Sequence, residues 1–191
     1  MGAICYELKL IIIRNFMPNI IPVPFPHMAL NSHDVPPPDY LMFNTWKVAK
    51  SDTVEHIVGW VRIVALGMPG GKISTLIFNA HGSPGKIHIG QGIGLTDLHK
   101  FQPWNSLVKE IWIVACRVAG KGKFVSGGPD GESFCKDLAL ATGALVTAAV
   151  REQHTGMDKI PIGYIDEWEG EVRTYDAKTR TIRQPENSSH E

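Results

Sequence analysis

Two residues that could form a catalytic pair, His81 and Cys116, each follow a short apolar run of the sequence. Residues 73–80 lead into His81-Gly82, and residues 110–115 lead into Cys116. Short runs rich in β-branched and aromatic residues are typical of strands buried on both faces of a parallel sheet. Because reacting groups lie beyond the carboxyl ends of such strands, neighbouring strands would bring His81 and Cys116 together. A histidine within reach of a cysteine is the minimum that thiolate catalysis requires.

The composition is that of an ordinary globular protein of one domain. The chain has 191 residues, of which 43% are hydrophobic and 20% charged, and its formal net charge is zero. A neutral chain without a basic stripe is not expected to bind nucleic acid or an anionic membrane surface. Its three cysteines are an odd number without CxxC spacing, which indicates neither a disulfide framework nor a zinc site. This usage favours a reducing compartment, and we expect a cytoplasmic protein.

The N-terminal region, residues 1–39, is expected to hold a strand and a proline-rich arm. The apolar run at residues 8–13 is far shorter than the roughly 20 residues that a membrane span needs, and it predicts a strand. Residues 15–39 are rich in proline, which has no backbone N–H to donate to the hydrogen bonds of a sheet. These residues are therefore expected to form an extended surface segment, which either wraps the domain or meets another subunit in a homo-oligomer.

Residues 40–183 have the pattern of an α/β domain, followed by a polar tail at 184–191 that we expect to fray. Asp52 and Glu55 form a capping box before a helix that ends near residues 67–71. The other predicted elements are strands at 40–46 and 145–150, a helix at 131–141, a hairpin within 86–95 and a terminal hairpin from 160–164 and 171–175. Together they predict a mostly parallel sheet with helices on both faces and hairpins at its edges.

A strand ending in His-Gly, followed 35 residues later (116 − 81) by a strand ending in Ala-Cys, resembles the caspase-like (clan CD) cysteine peptidases. That superfamily includes caspases, legumains, gingipains, clostripain, separases and the self-cleaving domains of bacterial toxins. Residues 128–150 resemble the segment after the catalytic cysteine in its bacterial and toxin-processing members. The resemblance implies a caspase-like three-layer sandwich.

The resemblance also implies a role for each matching residue. Cys116 would be the nucleophile that forms a thioester acyl-enzyme, and His81 the general acid and base. The backbone N–H groups of Gly82 and Cys116 would form the oxyanion hole. Glycine suits this position because a residue without a Cβ atom lets a substrate carbonyl approach the backbone. The substrate would be a peptide or a protein, and no cofactor or metal is implied.

The residues that set specificity are less well defined, and we consider Arg151, Glu152 and His88. Arg151 and Glu152 follow the strand predicted at 145–150. Glu152 would favour a basic side chain before the scissile bond, whereas Arg151 would favour an acidic one. His88 is close enough to His81 in the sequence to line the cleft.

Other interpretations of these residues stay open. Cys116 could be a small buried hydrophobe at a strand end, since free cysteine is often buried, and the chain could then be a catalytically silent caspase-like module that binds a partner or assembles. A zinc site from His81, His88 and Cys116 is conceivable, although the spacing is not diagnostic. A flavodoxin-like or hydrolase-like enzyme in which Cys116 is incidental is a further alternative. Cys135 and Cys5 are expected in the core.

Overall fold

The computed structural model describes residues 20–122, 130–153, 159–178 and 182–183. The strand predicted at residues 8–13, Cys5 and the polar tail from 184 lie outside these ranges.

The centre of the fold is a seven-stranded sheet. In order across it, the strands are β11 (Ile182–Arg183), β10 (Val172–Tyr175), β8 (Leu145–Ala149), β7 (Val108–Val114), β4 (Ile73–Asn79), β2 (His27–Ser32) and β3 (Asn44–Val48). The five strands from β8 to β3 are parallel, and β10 runs antiparallel to both of its neighbours. The described residues also form two short ribbons, one of β1 (Ile20–Pro22) with β9 (Tyr164–Asp166) and one of β5 (His81–Ser83) with β6 (Lys86–His88). The predicted α/β class with a mostly parallel sheet is confirmed.

Strand register aligns the apolar side chains of one sheet face in rows. Two rows cross β2, β4, β7 and β8: Met28, Leu76, Ile111 and Val146, and then Leu30, Phe78, Ile113 and Ala148. All eight belong to one core cluster with buried residues of helix α1 (Val54–Gly67), helix α2 (Gly131–Thr142) and the 3₁₀ segment Leu95–Trp104. Cys135, predicted to be in the core, is fully buried there.

Capping residues define the ends of the two described α-helices. Thr53 caps α1, because its hydroxyl accepts the His56 N–H at 3.1 Å, whereas the predicted cap Asp52 accepts the Ala49 N–H one turn earlier. Helix α2 begins after Asp130, whose carboxylate accepts the Glu132 N–H. It ends at Gly143, whose φ of +67° is a left-handed conformation that glycine adopts without strain.

A smaller apolar cluster lies against the opposite face of the sheet. It includes Ala29 of β2 and Ile77 of β4, packed against Val23, Met42 and Ile165. Both described α-helices contribute to the larger core, so within the described residues the β1–β9 ribbon and nearby loops cover this second face. The expected helices on both faces are therefore not seen in this part of the chain.

The structure differs from the sequence prediction at the proline-rich region. Residues 27–32, expected in a surface segment, form β2, which lies between β4 and the edge strand β3, and all six are buried. The prolines lie on either side of this strand, and its polar residues His27, Asn31 and Ser32 obscured the apolar pattern. Homo-oligomerisation through residues 15–39 stays a prediction.

Two other predicted elements change as well. The strand predicted at 40–46 begins only at Asn44. The predicted terminal hairpin does not form, since β9 pairs with β1 while β10 pairs with β8. Both pairings join residues that are distant in sequence, whereas the prediction used only local spacing.

Candidate active site

The two predicted dyad residues lie at the carboxyl ends of adjacent parallel strands. Asn79 and Val114 are opposite each other in the β4–β7 ladder, and the chain continues from them to His81 and Cys116. Both residues line one cavity of about 390 Å³ at this edge of the sheet. The structure therefore places an imidazole and a thiol around a space that a substrate group could enter.

Gly82 packs directly against the strand end that carries Cys116. A Cβ atom built on Gly82 would lie 2.6 Å from Val118 Cγ2 and 2.7 Å from the carbonyl oxygen of Cys116. Real Cβ atoms do not make such close contacts with backbone. A residue larger than glycine would therefore separate the His81 and Cys116 strand ends.

The backbone N–H of Gly82 points away from the short β5–β6 ribbon. Gly82 lies opposite Ile87 in that ribbon, but the N–H and C=O of Ile87 bond to Ile93 at 3.0 and 2.9 Å. Since both backbone groups of a strand residue point to the same side, Gly82 and Ile87 are a pair without mutual hydrogen bonds. The Gly82 N–H is thus directed outside the ribbon, as a donor to an oxyanion must be.

The exposed imidazole of His81 is oriented by a backbone carbonyl. Its Nε2 lies 3.3 Å from the carbonyl oxygen of Asp34, in the loop after β2. Because a carbonyl only accepts hydrogen bonds, Nε2 carries the proton in this contact, and Nδ1 of the neutral ring is the basic nitrogen. The sequence did not point to Asp34, because Asp34 contributes its main-chain carbonyl oxygen, and a main-chain group cannot be recognised from the type of residue.

The half-buried thiol of Cys116 is held by the main chain of Gln153. The Gln153 N–H donates to Sγ at 3.3 Å, and the Gln153 carbonyl oxygen accepts from the thiol at 3.4 Å. The Gln153 side chain in turn bonds both backbone groups of Glu169, from Nε2 to the carbonyl oxygen at 2.7 Å and from the N–H to Oε1 at 3.1 Å. The segment after β8 therefore fixes the position of the sulfur.

Arg117, directly after Cys116, has an unusual backbone conformation. Its φ of +60° is in the left-handed region, which is rare for a large side chain. Its N–H bonds to the carbonyl oxygen of Arg151 at 2.9 Å, and its carbonyl accepts from Gly120 at 2.8 Å. These bonds hold the turn that directly follows Cys116, two residues beyond the end of β7.

A buried amide pair supports the floor of the site. Asn79, which lines the cavity, donates from Nδ2 to Asn31 Oδ1 at 2.8 Å. Asn31 bonds both backbone groups of Tyr40, accepting from its N–H at 2.9 Å and donating to its carbonyl at 3.0 Å. This network joins β2 and β4 to the end of the loop that carries Asp34.

None of the three specificity candidates is among the described residues that line the cavity beside the dyad. His88 lies across the β5–β6 ribbon from His81, and its Nε2 is 3.0 Å from Ser83 Oγ. Burial lowers the pKa of His88, and the neighbouring charges of Lys86 and His81 lower it further. Arg151 and Glu152 line a separate surface cavity with Arg117 and Val150.

The cavity beside the dyad instead receives two carboxylates that the sequence did not single out as site residues, Asp166 and Glu167. The sequence predicts both in the turn of a terminal hairpin, whereas the pairing of β9 with β1 brings them to this edge. Burial raises the pKa of the Tyr40 hydroxyl, and the charge of Asp166 raises it further. Tyr40 is therefore a neutral phenol at the cavity wall.

Among the described residues, no group of three or more His, Cys, Asp or Glu side chains is arranged to hold a metal ion, including His81, His88 and Cys116. No helix in the described part of the chain is long and apolar enough to cross a membrane.

Comparison of the sequence with protein-family models gave no match, and a search of curated proteins gave none. The functional assignment therefore rests on the residues of the site itself.

Proposed function

We propose that the protein is a caspase-like cysteine peptidase or amidase with Cys116 as nucleophile and His81 as general acid and base. The observation that carries the proposal is that both side chains line one cavity at the ends of two adjacent parallel strands. The close contact of Gly82 with Cys116 and the direction of the Gly82 N–H add support.

In the proposed reaction, the Cys116 thiol gives its proton to His81 and the sulfur attacks the substrate carbonyl carbon. The N–H groups of Gly82 and Cys116 stabilise the oxyanion of the tetrahedral intermediate. His81 then protonates the leaving amine as the C–N bond breaks, which leaves a thioester on Cys116. Water, deprotonated by His81, hydrolyses the thioester to the acid and restores the thiol.

A nucleotide-binding alternative has less physical support. Counted in chain order, the five parallel strands have the order 2-1-3-4-5, which is also that of flavodoxin-like folds. However, the loop after the first of these strands contains Asp34 and Asp39 and three consecutive prolines, 36–38. Carboxylates repel phosphate, and prolines have no N–H groups to bind it.

The alternative of a silent module predicts a closed surface over Cys116. A cavity of about 390 Å³ beside the thiol instead supports an enzyme, since small-molecule sites have volumes of roughly 300–1,000 Å³.

The test is cleavage of a peptide library prepared from denatured cell proteins, with new N-termini identified by mass spectrometry. The wild-type chain is expected to produce cleavages that Cys116→Ala abolishes and His81→Ala nearly abolishes. His99→Ala is the matched control, because His99 is exposed and lies outside the cavity lining. Full activity in both dyad variants would exclude the assignment.

A further inference from the structure

The cavity beside Cys116 has an acidic lining among the residues that the structure describes. Asp166, which is 7% exposed, lies at the end of β9, and the next residue, Glu167, is exposed. Both line the cavity, and no lysine or arginine is among its described lining residues. Among the described lining residues, His81 is the one histidine.

The remaining walls suit a long aliphatic stem. Val35, Pro36 and Val114 contribute apolar surface, and Tyr40 contributes an aromatic ring. Lysine and arginine pack their methylene groups on such surfaces while the charged end reaches a polar group. A volume of about 390 Å³ is large enough for either side chain.

We propose that this cavity binds the lysine or arginine side chain of the substrate residue whose carbonyl Cys116 attacks. The inference deepens the proposed function and rests on it. Glu167, being exposed, contacts the ammonium or guanidinium group directly. Asp166 acts from the floor of the cavity: its carboxylate lies in a region of low dielectric, where a nearby cation is stabilised more strongly than in water.

The same arrangement disfavours acidic substrates. An aspartate or glutamate side chain in the cavity would add a negative charge next to Asp166 and Glu167, and repulsion of this kind excludes wrong partners. The basic residues Arg117 and Arg151 line the other cavity, with Glu152. Glu152 therefore offers a matched control, a carboxylate near the site but outside the dyad cavity.

The test uses peptidyl acyloxymethyl ketones, which alkylate an active-site cysteine, with Arg, Lys, norleucine or Asp next to the reactive group. Norleucine has a stem like that of lysine without the charge. We expect the Arg and Lys probes to label Cys116 at least about tenfold faster than the norleucine probe, and the Asp probe to be slowest.

Two variants assign the preference to its residues. Glu167→Gln is expected to slow the Arg probe about fivefold without changing the norleucine rate, and Glu152→Gln to change neither. Asp166→Asn is expected to lower the ratio of the Arg labelling rate to the norleucine labelling rate more than Glu167→Gln does.

Equal labelling by all four probes would overturn the basic-residue subsite and leave Cys116 as the nucleophile. An unchanged Arg rate in Glu167→Gln would overturn the role of that carboxylate. No labelling of Cys116 by any probe would contradict the proposed function itself, and the subsite with it.

Discussion

A Cβ atom at Gly82 would lie 2.7 Å from the backbone carbonyl oxygen of Cys116. The residue after the proposed general base therefore packs against the main chain of the proposed nucleophile, across two strands that are 35 residues apart (116 − 81). This contact links the His-Gly and Ala-Cys dipeptides physically and explains why the first needs glycine.

Gly82→Ala is expected to lower stability by about 1–3 kcal/mol, because the added methyl group must displace backbone. It should also slow iodoacetamide labelling of Cys116, because the strand ends move apart. Gly94→Ala is the matched control: Gly94 has a φ of −125°, and a Cβ there meets nothing within 4 Å. Urea unfolding measures the stability of each variant, and iodoacetamide labelling measures the reactivity of Cys116. Equal stability and equal labelling rates in Gly82→Ala and Gly94→Ala would show that the close approach of Gly82 to Cys116 does not matter.

Asn31→Ala is expected to cost about 2 kcal/mol or more of unfolding free energy. The change leaves the buried N–H and C=O of Tyr40 and the Asn79 amide without their Asn31 partners, and each such group is costly to desolvate. Asn105→Ala removes an exposed amide and should change stability little. Urea denaturation measures both, and similar losses would contradict the role of the network.

Stability should fall on mild acidification because of His27. This imidazole is buried, its Nδ1 accepts the Phe43 N–H at 2.9 Å, and burial lowers its pKa. The unfolded chain therefore binds the proton more readily, with a pKa of about 6.5. The contribution of neutral His27 to the free energy of unfolding is therefore fully present above pH 6.5, the pKa of the unfolded state. It is lost as the pH falls through the lower pKa of the folded state.

His27→Leu should remove part of this acid sensitivity, measured as the difference in unfolding free energy between pH 7.5 and pH 5.5. His88 also has a lowered pKa and contributes in the same direction, so some sensitivity should remain. His99→Ala controls for an exposed histidine. If His27→Leu loses as much stability on acidification as the wild type, His27 is not a source of the acid sensitivity.

Gln153→Ala is expected to raise the maximal rate of Cys116 alkylation about fivefold and to lower peptidase turnover. Its amide no longer ties the segment to Glu169, so the main chain that covers the sulfur opens more often, while the sulfur loses its fixed position. Gln91→Ala is the control, since the Gln91 amide also donates to a backbone carbonyl, that of Ser51, but lies outside the cavity lining. An unchanged labelling rate in Gln153→Ala would show that the bonds from the Gln153 side chain to Glu169 do not hold the main chain over the sulfur.

The sequence predicted the elements whose signals are local. The strand before His81 is an apolar run, and its burial followed from composition: six of its seven residues are buried. The strand before Cys116 was also expected to be buried on both faces, but Trp112 and Val114 on its second face are only partly buried. The stop of α1 at Gly67 and the end of α2 before Gly143 followed from glycine and proline placement.

The rest depended on contacts between distant parts of the chain. Strand β2 was missed because Asn31 is polar, and its burial becomes favourable only through bonds to Tyr40 and Asn79. Gln153 and Asp34 reach the dyad through main-chain atoms, which leave no signature in residue type. Asp166 reaches the cavity only because β9 pairs with β1.

The most direct test of the central claim is iodoacetamide labelling of the native protein from pH 5 to 9, with each modified cysteine mapped by mass spectrometry. Cys135 is an internal control, because it is fully buried and burial raises the pKa of its thiol. Fast labelling of Cys116 in the native protein is expected at neutral pH, because the proposed role of His81 is to take the proton of the thiol. His81→Ala should slow this labelling. Labelling of Cys116 only after unfolding, or at a rate that His81→Ala leaves unchanged, would contradict the dyad.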